Sequence, residues 1–395
     1  MKSNHELIDL RSDTATLPTE EMLEAIKQAR LGDDAYGEDP TVNKLQNMAA
    51  VMLGKEDALF VTSGTQANLI SLLTNTKFGD RVILEAGSHI CCYEKEGLLT
   101  FARLAPWLIK GNLGALHPRD IETILERRDI QRQRTTLVCI ENTHNRSGGT
   151  IVSPAETKAI GEVTHNYGLG LYMDGARIFN AAVAMGIDVR AFTEHVDNLM
   201  FCLSKGLSCP VGSIIAGSQE FINRARKMRK ILGGEMRQAG IVAAPGIIAL
   251  EKMVDRLKED HANARLLAEK LNRIDGIAVD MRRVQTNIVL ANVSSLGVDS
   301  GQFVSELKEM NMLVIAVDAH SVRMVTHRGI EKDHIEKALS IIESLKVVKT
   351  SKQPRTTSYH RRTPLRFTRR APFLDFSIRR SQPRLSFRLK GNLIP

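Results

Sequence analysis

Two short apolar runs, each followed by a charged residue, constrain the fold of this chain more than any other feature. Residues 169–173 and 199–203 are almost continuously apolar, which is typical of strands buried on both faces of a sheet. Asp174 follows the first run directly, and Lys205 follows the second after one serine. Because the carboxyl ends of strands in an open α/β sheet line one cleft, we expect these two side chains to lie in the same cleft.

The middle of the chain alternates segments with strand and helix patterns. This alternation extends from about residue 41 to residue 247. It predicts an α/β fold with a mostly parallel sheet and helices on both faces, followed by a smaller α+β unit. The strands that we predict in the middle of the chain are 58–61, 81–85, 136–141, 169–173, 198–203 and 212–216.

Composition and pattern divide the chain into four predicted parts. These are an N-terminal arm over 1–40, a large domain over 41–247, a small C-terminal domain over 248–348 and a basic tail over 349–395. Apolar residues at helical spacing also predict a long helical stretch from about 245 to 274, which would link the two domains.

The tail accounts for the positive charge of the chain. Residues 351–395 carry twelve Lys and Arg and one acidic residue. The rest of the chain is therefore close to neutral, although the formal net charge is +9. The apolar residues of the tail follow no period, so we predict that it is disordered. A targeting signal, a nucleic-acid-binding arm and a non-native extension all fit this composition.

Cysteines and apolar runs indicate the compartment. The five cysteines follow no metal-ligand spacing, and their odd number suits a reducing environment. The N-terminal residues lack the apolar core of a signal peptide, and no apolar run is long enough to span a membrane. We therefore expect a cytoplasmic enzyme without a metal site or a membrane partner.

The combination of Lys205 and Asp174 points to a cofactor. A lysine that can condense with an aldehyde, and an aspartate that can pair with a pyridinium nitrogen, are what pyridoxal 5′-phosphate (PLP) requires of a protein. The alternative is that Lys205 leaves its strand for solvent and that Asp174 caps a helix.

Two further segments could serve such a cofactor. Ser63, Gly64 and Thr65 lie between a predicted strand and a predicted helix, where backbone amides can bind a phosphate group. Ser-Gly-Thr is also a common capping sequence. His89 follows another predicted strand and could cover the cofactor ring or move protons, although a lone histidine in this position is more often structural.

Two arginines follow predicted core elements. Arg177 lies three residues after Asp174, and Arg323 lies inside an apolar segment. Each could hold a substrate carboxylate through two parallel hydrogen bonds. The alternative for each is a buried ion pair.

Together these motifs resemble the low-specificity L-threonine aldolases, which are PLP-dependent enzymes of fold type I. The matching blocks follow the order of that family from residue 7 to about residue 346. They are 9–14, 32–40, 63–66, 88–90, 141–145, 174–180, 202–207, 236–240 and 323–327.

The resemblance implies roles for the matched residues at the cofactor. Lys205 would carry PLP, Asp174 would pair with its ring nitrogen, and His89 would stack on its ring. The other residues that it places at the cofactor, the phosphate included, are Ser63, Gly64, Thr65, Arg177 and Arg237.

On the substrate side, the resemblance implies that Ser12, Arg177 and Arg323 bind the carboxylate of the amino acid. Active sites in this family lie between subunits, so Tyr36 and Arg237 would reach the site of a neighbouring subunit. The expected assembly is a homotetramer built from two dimers.

One substrate-side residue departs from the pattern of the family. Gln131 stands where members often have a histidine that contacts the β-hydroxyl group of the substrate, and an amide cannot take the proton of that group. Glu235 likewise stands where glycine is usual.

The activity implied by the resemblance is retro-aldol cleavage of L-threonine and L-allo-threonine to glycine and acetaldehyde. One alternative is another PLP-dependent β-eliminating lyase or racemase on the same fold. Another is a PLP-binding protein with little turnover, or a nucleic-acid binder that acts through the tail.

Overall fold

The computed structural model describes residues 7–127 and 134–351, without the side chains of 346–351. Within this part, no helix is both long and apolar enough to cross a membrane. The strands are β1 (Ile8–Asp9), β2 (Asp57–Val61), β3 (Arg81–Glu85), β4 (Ala105–Ile109), β5 (Thr135–Glu141), β6 (Gly170–Asp174), β7 (Asn198–Cys202), β8 (Ser213–Gly217), β9 (Ala278–Val279), β10 (Ile288–Asn292), β11 (Met312–Leu313), β12 (Ile315–Ala316) and β13 (Ser321–Val325).

Helices follow most of these strands. They are α1 (Glu20–Lys27), α2 (Pro40–Leu53), α3 (Gly64–Asn75), α4 (His89–Tyr93), α5 (Pro118–Leu125), α6 (Pro154–Asn166), α7 (Ile178–Met185), α8 (Arg190–Thr193), α9 (Gln219–Ile231), α10 (Gly240–Ile248), α11 (Leu257–Leu271), α12 (Ser300–Glu309) and α13 (Lys332–Ser351).

In the described part of the chain, seven strands form the large sheet in the order β2-β8-β7-β6-β5-β3-β4. The strands from β4 to β7 pair in parallel, whereas β8 is antiparallel to both of its neighbours. The predicted α/β fold with a mostly parallel sheet is confirmed, and every predicted strand of this sheet is present to within one residue at each end.

The sequence analysis missed β4, which lies at one edge of the sheet. Pro106 lies in this strand and cannot donate to a ladder of hydrogen bonds, which a sheet tolerates at its edge. Leu108 is exposed, so β4 also lacks the fully apolar character by which the other strands were predicted.

Apolar clusters cover both faces of the large sheet. Leu199 and Phe201 of β7 belong to one cluster, and Met200 and Cys202 belong to the other, because successive side chains of a strand point to opposite faces. The second cluster includes residues of α3 and α9. The N-terminus of α3 therefore lies near the carboxyl end of β7.

A separate apolar core surrounds the smaller sheet, whose order is β12-β13-β10-β9. Ile8 and Leu10 of the N-terminal arm belong to this core, and β1 pairs in parallel with β11. The start of the arm is thus built into the second core. The domain boundaries stay predictions.

The predicted helical stretch over 245–274 is helical over most of its length, but it is not one regular helix. α10 ends at Ile248, a π-helical turn follows over Ala249–Met253, and α11 begins only at Leu257. Pro245 lies inside α10, so the break after Met253 does not coincide with the proline. The apolar spacing alone does not reveal this break.

A buried ion pair holds the loop of the arm that carries Tyr36. Arg229 of α9 donates to the carboxylate of Asp34 at 2.7 Å and to the carbonyl oxygen of Phe60 at 2.8 Å. The side chains of both charged residues are only 1% exposed. The backbone N–H of Asp34 also donates to the carbonyl oxygen of Arg237 at 2.9 Å. The loop is therefore fixed to α9 and to the segment before α10.

We expect Asp34→Asn to destabilise the protein by about 3–5 kcal/mol, because it leaves the Arg229 guanidinium buried without a counter-charge. Urea unfolding followed by circular dichroism measures the change in the free energy of unfolding. The matched control is Glu21→Gln in the exposed pair between Glu21 and Lys252, which should cost less than about 1 kcal/mol. Equal effects of the two variants would contradict this interpretation of the buried pair.

Candidate active site

The carboxyl ends of the parallel strands and the N-terminus of α3 enclose a cavity of about 160 Å³. Several residues singled out in the sequence line it, although they come from distant segments of the chain. Those that the structure brings together here are Gly64, Thr65, His89, Asp174, Arg177 and Lys205.

Asp174 ends β6 and is buried. One of its carboxylate oxygens accepts a hydrogen bond from the backbone N–H of Ala176 at 3.1 Å, and the other accepts one from the side-chain amide of Asn68 at 2.9 Å. Asp174 does not cap the following helix, since α7 begins at Ile178 after Arg177 and has no side-chain cap; instead it lines the cavity.

Lys205 lies in the turn after β7 and lines the same cavity as Asp174. Its backbone carbonyl oxygen accepts hydrogen bonds from the hydroxyl group of Thr16 at 2.8 Å and from the backbone N–H of Ser208 at 2.9 Å. The N-terminal arm thus helps to fix the turn that carries the lysine. The residue is half-buried.

The N-terminus of α3 offers amides to the cavity. Ser63 caps this helix, and its hydroxyl oxygen accepts the backbone N–H of Gln66 at 3.1 Å. The backbone N–H groups of Gly64 and Thr65 have no acceptor within the residues that the structure describes. An anion in the cavity could accept both hydrogen bonds.

Gly64 is required by packing against β7. A Cβ atom at this position would lie 2.8 Å from the sulfur of Cys202 and 3.0 Å from the Cε of Met200. The contact with β7 sets how near α3 approaches the sheet.

His89 begins α4 at the rim of the cavity. Its Nδ1 lies 2.7 Å from a carboxylate oxygen of Glu94, and its backbone N–H donates to Glu141 at 2.5 Å. Burial alone would lower the pKa of His89, but the hydrogen bond with Glu94 and the charge of Asp174 raise it above its ordinary value. Tyr93 stacks near the imidazole, with 5.0 Å between the ring centroids.

The two predicted carboxylate-binding arginines have different surroundings. Arg177 donates two hydrogen bonds of 2.7 Å to the two carboxylate oxygens of Asp13. It therefore forms the buried ion pair that the sequence analysis kept as the alternative, while its remaining nitrogen lies 3.5 Å from the side-chain oxygen of Asn145.

Arg323 lies beside His89 in an adjoining cavity of about 420 Å³. It donates to the side-chain oxygen of Asn145 at 3.0 Å and to the carbonyl oxygen of Arg11 at 3.2 Å. Its buried Nε has no partner in the part of the chain that the structure describes. Burial and the charge of Arg177 lower the pKa of Arg323, so an anionic ligand would be stabilised here.

The remaining predicted residues do not line the cavity of this chain. Ser12 caps the short helical turn that contains Asp13, with its hydroxyl oxygen 3.2 Å from the backbone N–H of Thr14. Tyr36 is 77% exposed, and the side chain of Arg237 is 61% exposed beside Asp33.

Two substitutions relative to the family pattern have different outcomes. Gln131 lies outside the residues that the structure describes, so its proposed contact stays a prediction. Glu235 forms an ion pair with Lys230 at 3.1 Å and is not among the residues that line the cavity.

Comparison with known proteins agrees with this geometry. Residues 9–295 match the family described as beta-eliminating lyase. The chain belongs to this family. It is 40% identical over 347 residues to low-specificity L-threonine aldolase 1 of Arabidopsis thaliana, covering 85% of this chain and 95% of the relative. It is 41% identical over 331 residues to the low specificity L-threonine aldolase of Escherichia coli K12, covering 83% and 96%.

Solved structures support the fold of this lyase. Leishmania major threonine aldolase superposes with a TM-score of 0.74 at 19% identity, over 86% of this chain and 99% of the other. The aspartate aminotransferase of Rhizobium meliloti gives 0.65 at 16% identity, over 88% and 92%. The fold is that of the fold type I enzymes, and the family and its fold neighbours are PLP-dependent.

Four residues of the candidate site were not predicted from the sequence, namely Asp13, Asn68, Glu94 and Glu141. Asn68 could have been found, because it lies four residues after Gly64 in the predicted helix and therefore on the same face. Asp13 lies next to Ser12 in a matched block, but nothing local indicates that its partner is Arg177. No motif or periodicity around Glu94 or Glu141 indicates that either residue lies in the cavity.

Asp13 should make the stability of the lyase depend on pH. Burial would raise the pKa of Asp13, but the Arg177 guanidinium holds it well below its usual range. A carboxyl group whose folded-state pKa is lowered adds stability above its unfolded pKa, about 4, and this stability is lost as the pH falls through the folded-state value.

We therefore expect Asp13→Asn to cost about 3–5 kcal/mol at neutral pH, with a difference from the wild type that narrows as the pH falls below about 4. Urea unfolding at a series of pH values measures this difference. Glu24→Gln, in an exposed pair with Lys27, serves as the control and should change little at any pH. A constant cost of Asp13→Asn from pH 7 to pH 3 would count against the assignment.

Proposed function

We propose that this lyase is a low-specificity L-threonine aldolase that cleaves L-threonine and L-allo-threonine to glycine and acetaldehyde. The observation that carries the proposal is the meeting of Lys205, Asp174 and the open amides of α3 in one cavity, next to a second cavity that contains Arg323. The identity of about 40% to curated aldolases over most of both chains supports the same activity.

The cavity fits PLP, which we propose as the cofactor. The free N–H groups of Gly64 and Thr65 would hold its phosphate, the carboxylate of Asp174 would accept the ring N–H, and Lys205 would hold its aldehyde carbon covalently. When bound, PLP supplies an electron sink for the electron pair that cleavage leaves on the substrate Cα.

The protein itself orients the substrate and moves protons. Arg323, with Arg177 and Ser12 nearby, would hold the carboxylate of the amino acid, so that its side chain extends toward His89. Because Nδ1 of His89 faces Glu94, its Nε2 is the nitrogen that can accept the proton of the β-hydroxyl group. The Cα–Cβ bond then breaks, acetaldehyde leaves, and Cα takes up a proton to give glycine.

The assembly is a further part of the proposal. The loop of Tyr36 and the side chain of Arg237 are exposed, yet their backbones are fixed to each other and to Arg229. Exposed residues on a fixed loop are suited to meeting a second subunit. We propose that they complete the active site of a neighbouring subunit in a homotetramer.

Product analysis tests the proposed reaction. We expect the purified protein with PLP to release glycine and acetaldehyde in equal amounts from both L-threonine and L-allo-threonine. Lys205→Ala should release neither product and should retain no cofactor after borohydride reduction, whereas Lys158→Ala, on the exposed surface of α6, should match the wild type.

Other products would identify the competing activities. Ammonia and a 2-oxo acid without acetaldehyde would indicate β-elimination. D-allo-threonine from L-threonine, or D-threonine from L-allo-threonine, without acetaldehyde would indicate a racemase. Either result would contradict the aldolase proposal. Cofactor binding without any product would support the alternative of a protein with little turnover.

Arg323 should contribute mainly to substrate binding. We expect Arg323→Lys to raise KM for L-threonine by about tenfold or more, because a point charge does not reproduce the guanidinium fork and a charge-assisted hydrogen bond contributes about 1.5–3 kcal/mol. Arg323→Ala should raise it further, with a smaller effect on kcat. Arg282→Lys, at an exposed pair with Asp280, is the control. An unchanged KM in both Arg323 variants would refute the carboxylate-binding role.

A further inference from the structure

Glu94 is a buried carboxylate in the cavity, and the proposed function uses it only as the neighbour of Nδ1 of His89. It follows α4, is 7% exposed and lines the cavity with His89. One of its oxygens lies 2.7 Å from Nδ1 of His89, accepts the side-chain amide of Asn68 at 3.1 Å and lies 3.5 Å from the hydroxyl group of Thr65. The amide and the hydroxyl group are donors to this oxygen, and the ring nitrogen of His89 is a third donor when it carries the hydrogen.

Asn68 connects this carboxylate to Asp174. The side-chain N–H₂ group of Asn68 donates to Glu94 and also to Asp174 at 2.9 Å. Its side-chain oxygen accepts the phenolic O–H of Tyr172 at 2.6 Å. A carboxylate can only accept hydrogen bonds, whereas a phenol can donate one. The amide orientation that satisfies all three neighbours therefore turns its N–H bonds toward the carboxylates and its oxygen toward Tyr172.

The result is a continuous series of hydrogen bonds from Asp174 through Asn68 and Glu94 to His89. Each member is held by at least one further contact, so the position of the imidazole depends on the series. With a carboxylate at Nδ1, the neutral imidazole carries its hydrogen there and leaves a lone pair on Nε2.

Other charged groups also surround His89 and affect its pKa, so the test must distinguish the effect of Glu94 from their effects. Burial alone would lower the pKa of His89, while the hydrogen bond with Glu94 and the neighbouring carboxylates raise it. The titratable and charged side chains around His89 are Tyr93, Glu94, Glu141, Arg146, Asp174, Arg177, Lys205 and Arg323.

We propose that Glu94 is a positioning residue for the aldol cleavage, which holds His89 with Nδ1 protonated so that Nε2 accepts the proton of the substrate β-hydroxyl group. This inference rests on the proposed function. Glu94 acts through His89 and touches neither the substrate nor the bond that breaks. Since only unprotonated His89 can accept a proton, the rate rises as the pH rises through its pKa.

The test measures the titration of His89 and the rate of the reaction separately. Deuterium exchange at the ring carbon between the two nitrogens, measured peptide by peptide by mass spectrometry over a pH series, gives the titration midpoint of each histidine in the full-length protein. The same pH series gives kcat/KM and kcat for L-threonine. Cofactor content and thermal unfolding are measured for every variant.

In Glu94→Gln we expect the midpoint of His89 to move to lower pH, because the variant removes the negative charge at Nδ1. The acid limb of kcat/KM should move in the same direction, and kcat on the plateau should fall by about tenfold or more, since general-base catalysis contributes about 10²–10⁴-fold. The midpoint of His165, which pairs with the distant Asp197, should not move.

A second buried pair provides a matched control. His144 and Glu85 are both buried, with 2.8 Å between Nε2 and the carboxylate. In Glu85→Gln the midpoint of His144 should fall while that of His89 stays in place. Movement of both histidines in either variant would show that the shift is a general effect of lost charge and would overturn the assignment to Glu94.

Two other outcomes would also overturn it. One is an unchanged midpoint of His89 in Glu94→Gln, and the other is a loss of rate with no movement of the acid limb, which is the pattern of a merely structural residue. If Glu94→Gln does not fold, Glu94→Asp carries the test. Its carboxylate is one methylene shorter, so the His89 midpoint should still lie below that of the wild type, and an identical midpoint would refute the proposal.

Failure of the proposed function would look different. A wild type that releases no glycine from either threonine isomer, but whose His89 midpoint falls in Glu94→Gln, would overturn the aldolase activity and leave the pairing of Glu94 with His89 established. A wild type that cleaves threonine, with a His89 midpoint insensitive to Glu94, would overturn the positioning role alone.

Discussion

The parallel pairing of β5, β6 and β7 is the constraint on which the active site depends. Glu141 pairs with Asp174 across β5 and β6, and Asp174 pairs with Met200 across β6 and β7. Three strands therefore end side by side, and the turn after β7 brings Lys205 to the same edge. A slip of one residue in this register would turn Asp174 to the opposite face of the sheet. The apolar residues that determine the register therefore also determine whether the Asp174 side chain reaches the cavity.

Charge compensation is the second requirement, because the site contains several buried ionisable groups. Asp13 is paired with Arg177, whereas Glu141 accepts backbone N–H groups from His89 and Asn145. Burial and the charge of Asp174 raise the pKa of Glu141. A buried carboxylate with only neutral donors is less compensated than one with a guanidinium partner. The negative charge of Asp13 is therefore better compensated than that of Glu141, although both side chains are buried.

An interaction could be predicted from the sequence when the residues that form it are neighbours in the chain. Local patterns sufficed for the strand ends at Asp174 and Lys205 and for the capped start of α3, because each depends on neighbouring residues. Local patterns did not suffice for the pairing of Asp13 with Arg177, because 164 residues separate the two in sequence. Either residue could have formed an ion pair with another partner. β4 was not predicted because Pro106 and an exposed face weaken its apolar pattern. A sheet tolerates such a strand at its edge.

The two cavities of the candidate site are built from different parts of the protein. Lys205 and Asp174 belong to the large sheet. Arg323 of β13 belongs to the smaller sheet and donates to the carbonyl oxygen of Arg11 in the arm. The side-chain oxygen of Asn145 accepts hydrogen bonds from both Arg323 and Arg177, and Asn145 lines both cavities. The position of Arg323 relative to Asp174 therefore depends on Asn145 as well as on the packing of the smaller sheet, and neither is visible in a local sequence pattern.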